Sequence, residues 1–204
     1  MKSRSRNWLR EHVSDPYVKR ARSEDYRSRA AYKLLEIHAR EHLFSPGQTV
    51  LDLGAAPGGW SQVVALKVAP NGRVIALDVL EMPPLRGVEL LRCDVRAAKT
   101  HDLLAATLTE GAHIVISDMA PNISGVSVHD QAAGLELCEM ALEFALRYLK
   151  PHGTLLVKAF HGQSYEAFVT QMSRHFDSVV VRKPRASRDR SSEVYLLGRG
   201  RKSA

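Results

Sequence analysis

A lysine stands inside an apolar run at LLVKAF, 155–160, where Lys158 is costly to bury unless a partner or a reaction holds it there. Two acids sit at comparable places: Asp118 closes an apolar run in SDMAPN, and Glu193 opens another in EVYLLG. An amine flanked by carboxylates suits proton transfer to or from a poor nucleophile such as a hydroxyl. A lysine at its free pKa of about 10.4 is mostly protonated, so base chemistry needs conditions that favour the neutral amine. Burial and a second cation favour the neutral amine, whereas the carboxylates oppose it but orient the group. The sequence leaves the balance open: Lys158 acts as the base, or it stays charged and steadies the oxyanion.

A second constellation is LDLGAAPGGW, 51–60, in which glycines 54, 58 and 59 permit backbone turns and close ligand approach that a side chain would block. The string follows a predicted strand and opens a predicted helix, whose N-terminus receives an anionic group such as a methionine carboxylate. It is not GxGxxG, and Pro57 removes an N–H where a pyrophosphate cradle needs donors, which disfavours a nicotinamide enzyme. Asp78 ends the next apolar run and suits the two hydroxyls of a nucleoside ribose; Asp94 ends the third and suits an adenine amino group. With Asp52, three acidic strand endings surround one glycine loop. Trp60 either walls that site or packs against the sheet.

Strands are predicted at 49–55, 73–79, 88–95, 112–120, 154–160, 177–184 and 193–198, with helices at 28–43, 59–69, 101–109, 130–149 and 164–176. Ser28 is the expected N-cap of the first helix. Alternating strands and helices imply a parallel sheet covered on both faces. The connection between the last two strands is too short for a parallel crossover, so the last strand is reversed. The fold class is therefore α/β, a Rossmann-like seven-stranded sheet of the kind shared by S-adenosylmethionine-dependent methyltransferases. That topology brings Asp118, Lys158 and Glu193 to one rim; it does not place Lys33, which precedes the sheet.

At 204 residues the chain suits one such domain, and its 45% hydrophobic and 25% charged residues exclude a disordered or membrane-spanning class. Its two cysteines form no CxxC pair and its nine histidines include no HExxH string, so no metal is expected. Residues 1–33 and 182–204 each carry a net charge of +6, around a body of −5. Two basic ends on a chain of pI about 9.6 favour a polyanionic partner. Arg4, Arg6, Arg20, Arg22, Arg27 and Arg29, with Arg182, Lys183, Arg185, Arg188 and Arg190, are the candidates for gripping phosphates. The domain division expected is a basic extension at 1–27 and a catalytic domain at 28–204. The basic, serine-containing start is weighed as a mitochondrial address, but residues 8–17 read as folded protein, and a cytoplasmic location is expected.

The strings RSRAAYKLLEI, VLDLGAAPGGWSQ, SDMAPNISG, LLVKAF and RKPRASRDRSSEVYLL together resemble the FtsJ/RrmJ family of bacterial ribosomal RNA large-subunit 2′-O-methyltransferases, from about residue 8 to residue 201. The resemblance implies a Lys-Asp-Lys-Glu tetrad at Lys33, Asp118, Lys158 and Glu193. It also implies S-adenosyl-L-methionine contacts at Gly58, Trp60, Asp78, Asp94 and Asp118, to which the residue reading adds Asp52 and Gly54. The implied substrate is a uridine ribose of 23S rRNA within the 50S subunit. In this scheme Lys158 is the base, Asp118 and Glu193 position it, and Lys33 holds the target nucleotide. Methylation of tRNA or mitochondrial rRNA, and a non-catalytic ribosome-assembly factor, are the competing readings.

Overall fold

A computed structural model describes residues 15–122, 124–125, 127–162, 164–188 and 191–203. Its elements run α1 (Pro16–Ser23), α2 (Ala30–Glu41), β1 (Thr49–Leu53), α3 (Gly59–Val68), β2 (Arg73–Asp78), β3 (Val88–Arg92), α4 (Ala98–Thr107), β4 (Ala112–Ser117), α5 (Ser127–Tyr148), β5 (Leu149–Phe160), α6 (Tyr165–His175), β6 (Phe176–Arg182) and β7 (Glu193–Arg201). The seven strands form one sheet in the order β3-β2-β1-β4-β5-β7-β6. The first five strands are mutually parallel. β7 runs antiparallel to both β5 and β6 and is inserted between them. Strand order reverses between β1 and β4, the crevice where open α/β sheets take ligands.

The central strands are buried on both faces because helices cover both. Leu34, Ile37, Trp60, Val63, Val64, Ile114, Leu156 and Tyr195 form the core under α2 and α3. Leu51, Leu77, Leu104, Leu142, Phe144, Val157, Phe168 and Met172 form the core under α4, α5 and α6. Alternate residues of one strand thus point into different cores, as a period of two requires. On β5 the pattern places Lys158 on the α2–α3 face, beside Leu156 and opposite Tyr195 in the register.

The strands end earlier than the sequence suggests at the glycine loop and at the acids. β1 stops at Leu53, β3 at Arg92 and β4 at Ser117, so Asp94 and Asp118 lie in the loops just beyond. β5 begins sooner than expected, because residues 150–153, between the predicted helix and strand, form a bulge: Ala112 pairs with Leu149, but Ile114 already pairs with Thr154. Ser28 does not cap α2. Arg29 is the capping residue, in helical conformation with no side-chain cap bond, and the Ser28 hydroxyl abuts Gly59.

The extension contains a helix that the apolar pattern does not declare. Asp15 caps α1 by accepting from Tyr17 N at 2.9 Å, and Pro16 sits at the first helical position, where a missing N–H costs nothing. Arg4, Arg6 and Arg190, expected to meet phosphate, lie outside the described residues.

Candidate active site

The turn after β1 is shaped by its glycines. Gly54 has φ 71°, and a Cβ there would collide with Met119 of the loop after β4. Gly58 has φ 105° and caps α3, so the first free N–H groups of that helix face the loop. Between this turn and the start of α2 lies a cavity of about 150 Å³, lined by Ser28, Asp52, Gly54, Gly59, Trp60 and Asp118 among others.

Asp52 is 1% exposed, and its Oδ2 accepts from Ser61 Oγ at 2.6 Å while its Oδ1 is buried without a partner. Burial, reinforced by the charges of Asp118 and Asp78, pushes its carboxyl up to about 7, against the opposing Ser61 hydrogen bond. An orphaned carboxylate oxygen beside a glycine-shaped cavity fits a ligand that brings its own donors, such as the ammonium of an amino acid. The cavity has the scale of a cofactor's amino-acid end; a whole nucleoside cofactor must extend beyond it.

Asp78 stands where the nucleoside would continue. Its Oδ2 accepts from Ala56 N at 2.9 Å and its Oδ1 from Leu80 N at 2.8 Å, which leaves a second lone pair on each oxygen for paired hydroxyls. Asp94 is close by, since Cys93 N donates to Asp78 O at 3.0 Å. Its Oδ1, however, serves its own turn by accepting from Arg96 N at 2.9 Å, and it does not line the cavity. Trp60 both packs and walls: it is buried against Tyr195 with ring centroids 5.6 Å apart, its Nε1 donates to Ala30 O at 2.8 Å, and it borders the cavity.

On the other side of Asp118 the structure brings together all four tetrad residues. Lys158, only 7% exposed, donates to Asp118 O at 2.5 Å and to Asp118 Oδ1 at 3.0 Å. Lys33, carried in by α2, lies 2.6 Å from Glu193 Oε1. Between the two pairs stands Tyr195, fully buried, whose hydroxyl donates to Asp118 Oδ1 at 2.8 Å and lies 3.4 Å from Glu193 Oε1. Burial and the two carboxylates hold the Tyr195 phenol well above its usual range, so it remains a donor. Ser187, from the β6–β7 loop, adds a third donor to Glu193 Oε1 at 2.9 Å.

Lys158, Asp118, Tyr195, Glu193 and Lys33 thus form one continuous chain along the rim. Sequence reasoning misses Tyr195 and Ser187. A signal for Tyr195 exists: it lies two residues after Glu193 in a strand, hence on the same face. Ser187 offers no comparable signal in its loop.

A further cavity of about 210 Å³ opens beside this chain, lined by Arg29, Ala30, Lys33, Arg188, Ser191 and Glu193. Another, of about 250 Å³ between α5 and α6, lies on the opposite face of the sheet and contains none of the predicted site residues.

Known proteins carry the same architecture. A protein of Thiobacillus denitrificans named ribosomal RNA large subunit methyltransferase E is 58% identical over 193 residues, covering 94% of this chain and 88% of the relative. A protein of the same name from Methylobacillus flagellatus is 54% identical, covering 98% of this chain and 97% of the relative. The crystal structure of a ribosomal RNA methyltransferase from Plasmodium falciparum superposes with a TM-score of 0.80 at 26% identity, covering 88% of this chain and 100% of that one. The profile of the FtsJ-like methyltransferases matches residues 26–201. With a match of that extent, the chain belongs to the FtsJ-like methyltransferase family.

Proposed function

We propose that this enzyme transfers the methyl group of S-adenosylmethionine to the 2′-hydroxyl of a uridine in 23S rRNA, acting in the cytoplasm on the large ribosomal subunit. The observation that carries the reading is the unbroken hydrogen-bonded chain from Lys158 to Lys33 beside the glycine-shaped cavity, with Asp118 belonging to both. The names of its relatives supply the RNA class. On this reading residues 28–204 are the methyltransferase domain and residues 1–27 a basic extension.

S-adenosylmethionine, when bound, supplies an electrophilic methyl group on a sulfonium sulfur. Gly54 would border its amino-acid end and Gly58 would set the turn that opens α3, Asp52 and Asp118 would offer carboxylate oxygens there, Trp60 would wall it, and Asp78 and Asp94 would stand beside the nucleoside.

A ribose hydroxyl is a weak nucleophile, so the protein must align its oxygen and remove its proton. A neutral lysine amine has two N–H bonds and one lone pair. Asp118 accepts twice from Lys158, through its main-chain oxygen and Oδ1, which leaves the lone pair for the hydroxyl proton. On methyl transfer the hydroxyl would give its proton to Lys158 Nζ, where Asp118 would stabilise the resulting ammonium, and the demethylated donor would be the leaving group. Tyr195 fixes the Asp118 carboxylate, and Glu193 fixes Lys33 at the mouth where the target nucleotide enters.

The test is transfer of a labelled methyl group to purified large subunits, with tRNA as the competing substrate and nucleotide mapping of the product. Lys158→Ala should lose about 10²–10⁴-fold in turnover while retaining cofactor affinity. Near-normal turnover of Lys158→Ala defeats the mechanism; methylation of tRNA in preference to large subunits defeats the substrate assignment.

A further inference from the structure

Arg27 precedes α2 and belongs by sequence to the basic extension, yet its half-buried side chain is engaged by the protein's own carbonyls. Nη1 donates to Pro83 O at 2.7 Å and to Pro57 O at 3.3 Å, and Nη2 donates to Pro84 O at 2.8 Å. Pro57 lies in the glycine turn after β1. Pro83 and Pro84 lie in the segment between β2 and β3, which begins immediately after Asp78. One side chain therefore ties together the two loops that flank Asp78, where those loops otherwise meet through Ala56 N and Asp78 Oδ2.

The arrangement is built for an arginine. Two successive prolines provide carbonyl acceptors but no N–H groups with which to pair locally, so the loop cannot close on itself there. A planar fork presents donors on separate nitrogens in fixed directions and spans these three carbonyls at once; an ammonium has its three donors on a single nitrogen and matches that spread less well. Arg27 is itself held in place. Its backbone N–H donates to Gln62 Oε1 at 2.7 Å, and Gln62 Nε2 donates to Asp25 O at 2.9 Å, which anchors the segment to α3. The contact is tight enough to restrict the neighbouring glycine: a Cβ on Gly58 would lie 3.0 Å from Arg27 Nη1 and 2.9 Å from Leu85 Cδ1.

We propose that Arg27 is a positioning residue for the methyl-donor site, a clasp that holds the β2–β3 loop against the glycine turn, and that it is not a contact to RNA. The proposal rests on the cofactor assignment made above. Loss of the clasp frees the loop that continues from Asp78, so nucleoside binding must first order it, and the cost falls on cofactor affinity.

The experiment is calorimetric titration of wild type, Arg27→Ala and Arg27→Lys with S-adenosylhomocysteine, alongside RNA binding and steady-state kinetics of the same proteins. Arg27→Ala should bind S-adenosylhomocysteine about tenfold or more weakly, with Arg27→Lys intermediate. KM for the donor should rise with kcat little changed, and RNA affinity should stay within about twofold. Thermal melts identify a variant that has not folded. If Arg27→Ala is lost in that way, the lysine variant, which keeps the charge and the stem, carries the test alone.

Equal S-adenosylhomocysteine affinity in wild type and a folded variant overturns the proposal while leaving the cofactor reading intact. A fall in RNA affinity larger than the fall in S-adenosylhomocysteine affinity also overturns it and returns Arg27 to the phosphate-gripping set. Failure of wild type itself to bind S-adenosylhomocysteine overturns the cofactor reading, and the proposal with it.

Discussion

Tyr195 is the residue on which the two halves of the site depend. Without its hydroxyl, Asp118 keeps Lys158 but loses the donor that fixes its carboxylate, and Glu193 keeps Lys33 and Ser187. A hydrogen bond to a charged acceptor contributes about 1.5–3 kcal/mol, so Tyr195→Phe should lower kcat by about 10–100-fold. S-adenosylhomocysteine affinity should change little, since the hydroxyl does not line the donor cavity; equal losses in kcat and affinity would sink this assignment. Asp52 makes a different prediction, read in stability. Its folded-state pKa of about 7 lies above the ordinary carboxylate value, so between the two the folded protein holds a proton that the unfolded chain has released. The resulting stabilisation is complete below about pH 4, the unfolded value, and is lost as pH rises through about 7. The melting temperature of the ligand-free protein should therefore fall further from about pH 5 to about pH 8 in wild type than in Asp52→Asn. Parallel curves for the two proteins would show that Asp52 titrates normally.

At the scale of elements, α2 delivers Lys33, supplies the carbonyl that Trp60 binds, and holds the β6–β7 loop. The last task belongs to Glu36, whose Oε2 accepts from Arg185 N at 2.6 Å and whose Oε1 accepts from Ala186 N at 3.1 Å. That loop carries Ser187, which supports Glu193, so Glu36→Ala should loosen the tetrad from a distance. Hydrogen exchange at the amides of Arg185 and Ala186 should accelerate, and kcat should drop while S-adenosylhomocysteine affinity holds; unchanged protection would refute the linkage. The sheet and its acids are legible in the sequence because parallel strands are continuous apolar runs and their endings are polar. Asp118, Lys158 and Glu193 can be gathered on one rim from strand order alone. Lys33 cannot, because α2 precedes the sheet and its seat depends on packing against α3 and β7. Ser28 misleads for a related reason: its residue type suits an N-cap, but its hydroxyl lies packed against Gly59 and the cap position falls on Arg29. The α1 helix is legible in Asp15-Pro16, but eight residues offer too few apolar positions for periodicity to declare it.

At the scale of the molecule, the described parts of the two basic ends are brought side by side. Asp15, at the head of α1, pairs with Arg29 and lies 4.0 Å from Arg188 Nε, while Arg29 also donates to Ala186 O. Tyr17 reaches Glu36 Oε1 at 3.5 Å, on the same carboxylate that holds Arg185 and Ala186. This assembly surrounds the cavity beside Lys33 and Glu193, so the positive charge collects at the mouth of the tetrad. Not every cation there is available to a phosphate. Arg20 is spent on Glu24, Arg182 on Glu41, Arg29 on Asp15 and Arg27 on three carbonyls. Arg185 is exposed and makes no ion pair among the described residues, and Arg188 is held only loosely by Asp15. These two are the best placed to neutralise phosphates. Removing one phosphate-neutralising cation lowers the slope of log affinity against log salt by about 0.7–0.9, the smaller value applying to single strands. Arg185→Ala with Arg188→Ala should therefore bind RNA more weakly at low salt and with a shallower salt dependence. Arg20→Ala should leave the slope unchanged, because Glu24 already answers its charge. Identical slopes for the double variant and wild type would move the RNA path away from this mouth, whereas a slope reduced by about one or more would fix it there.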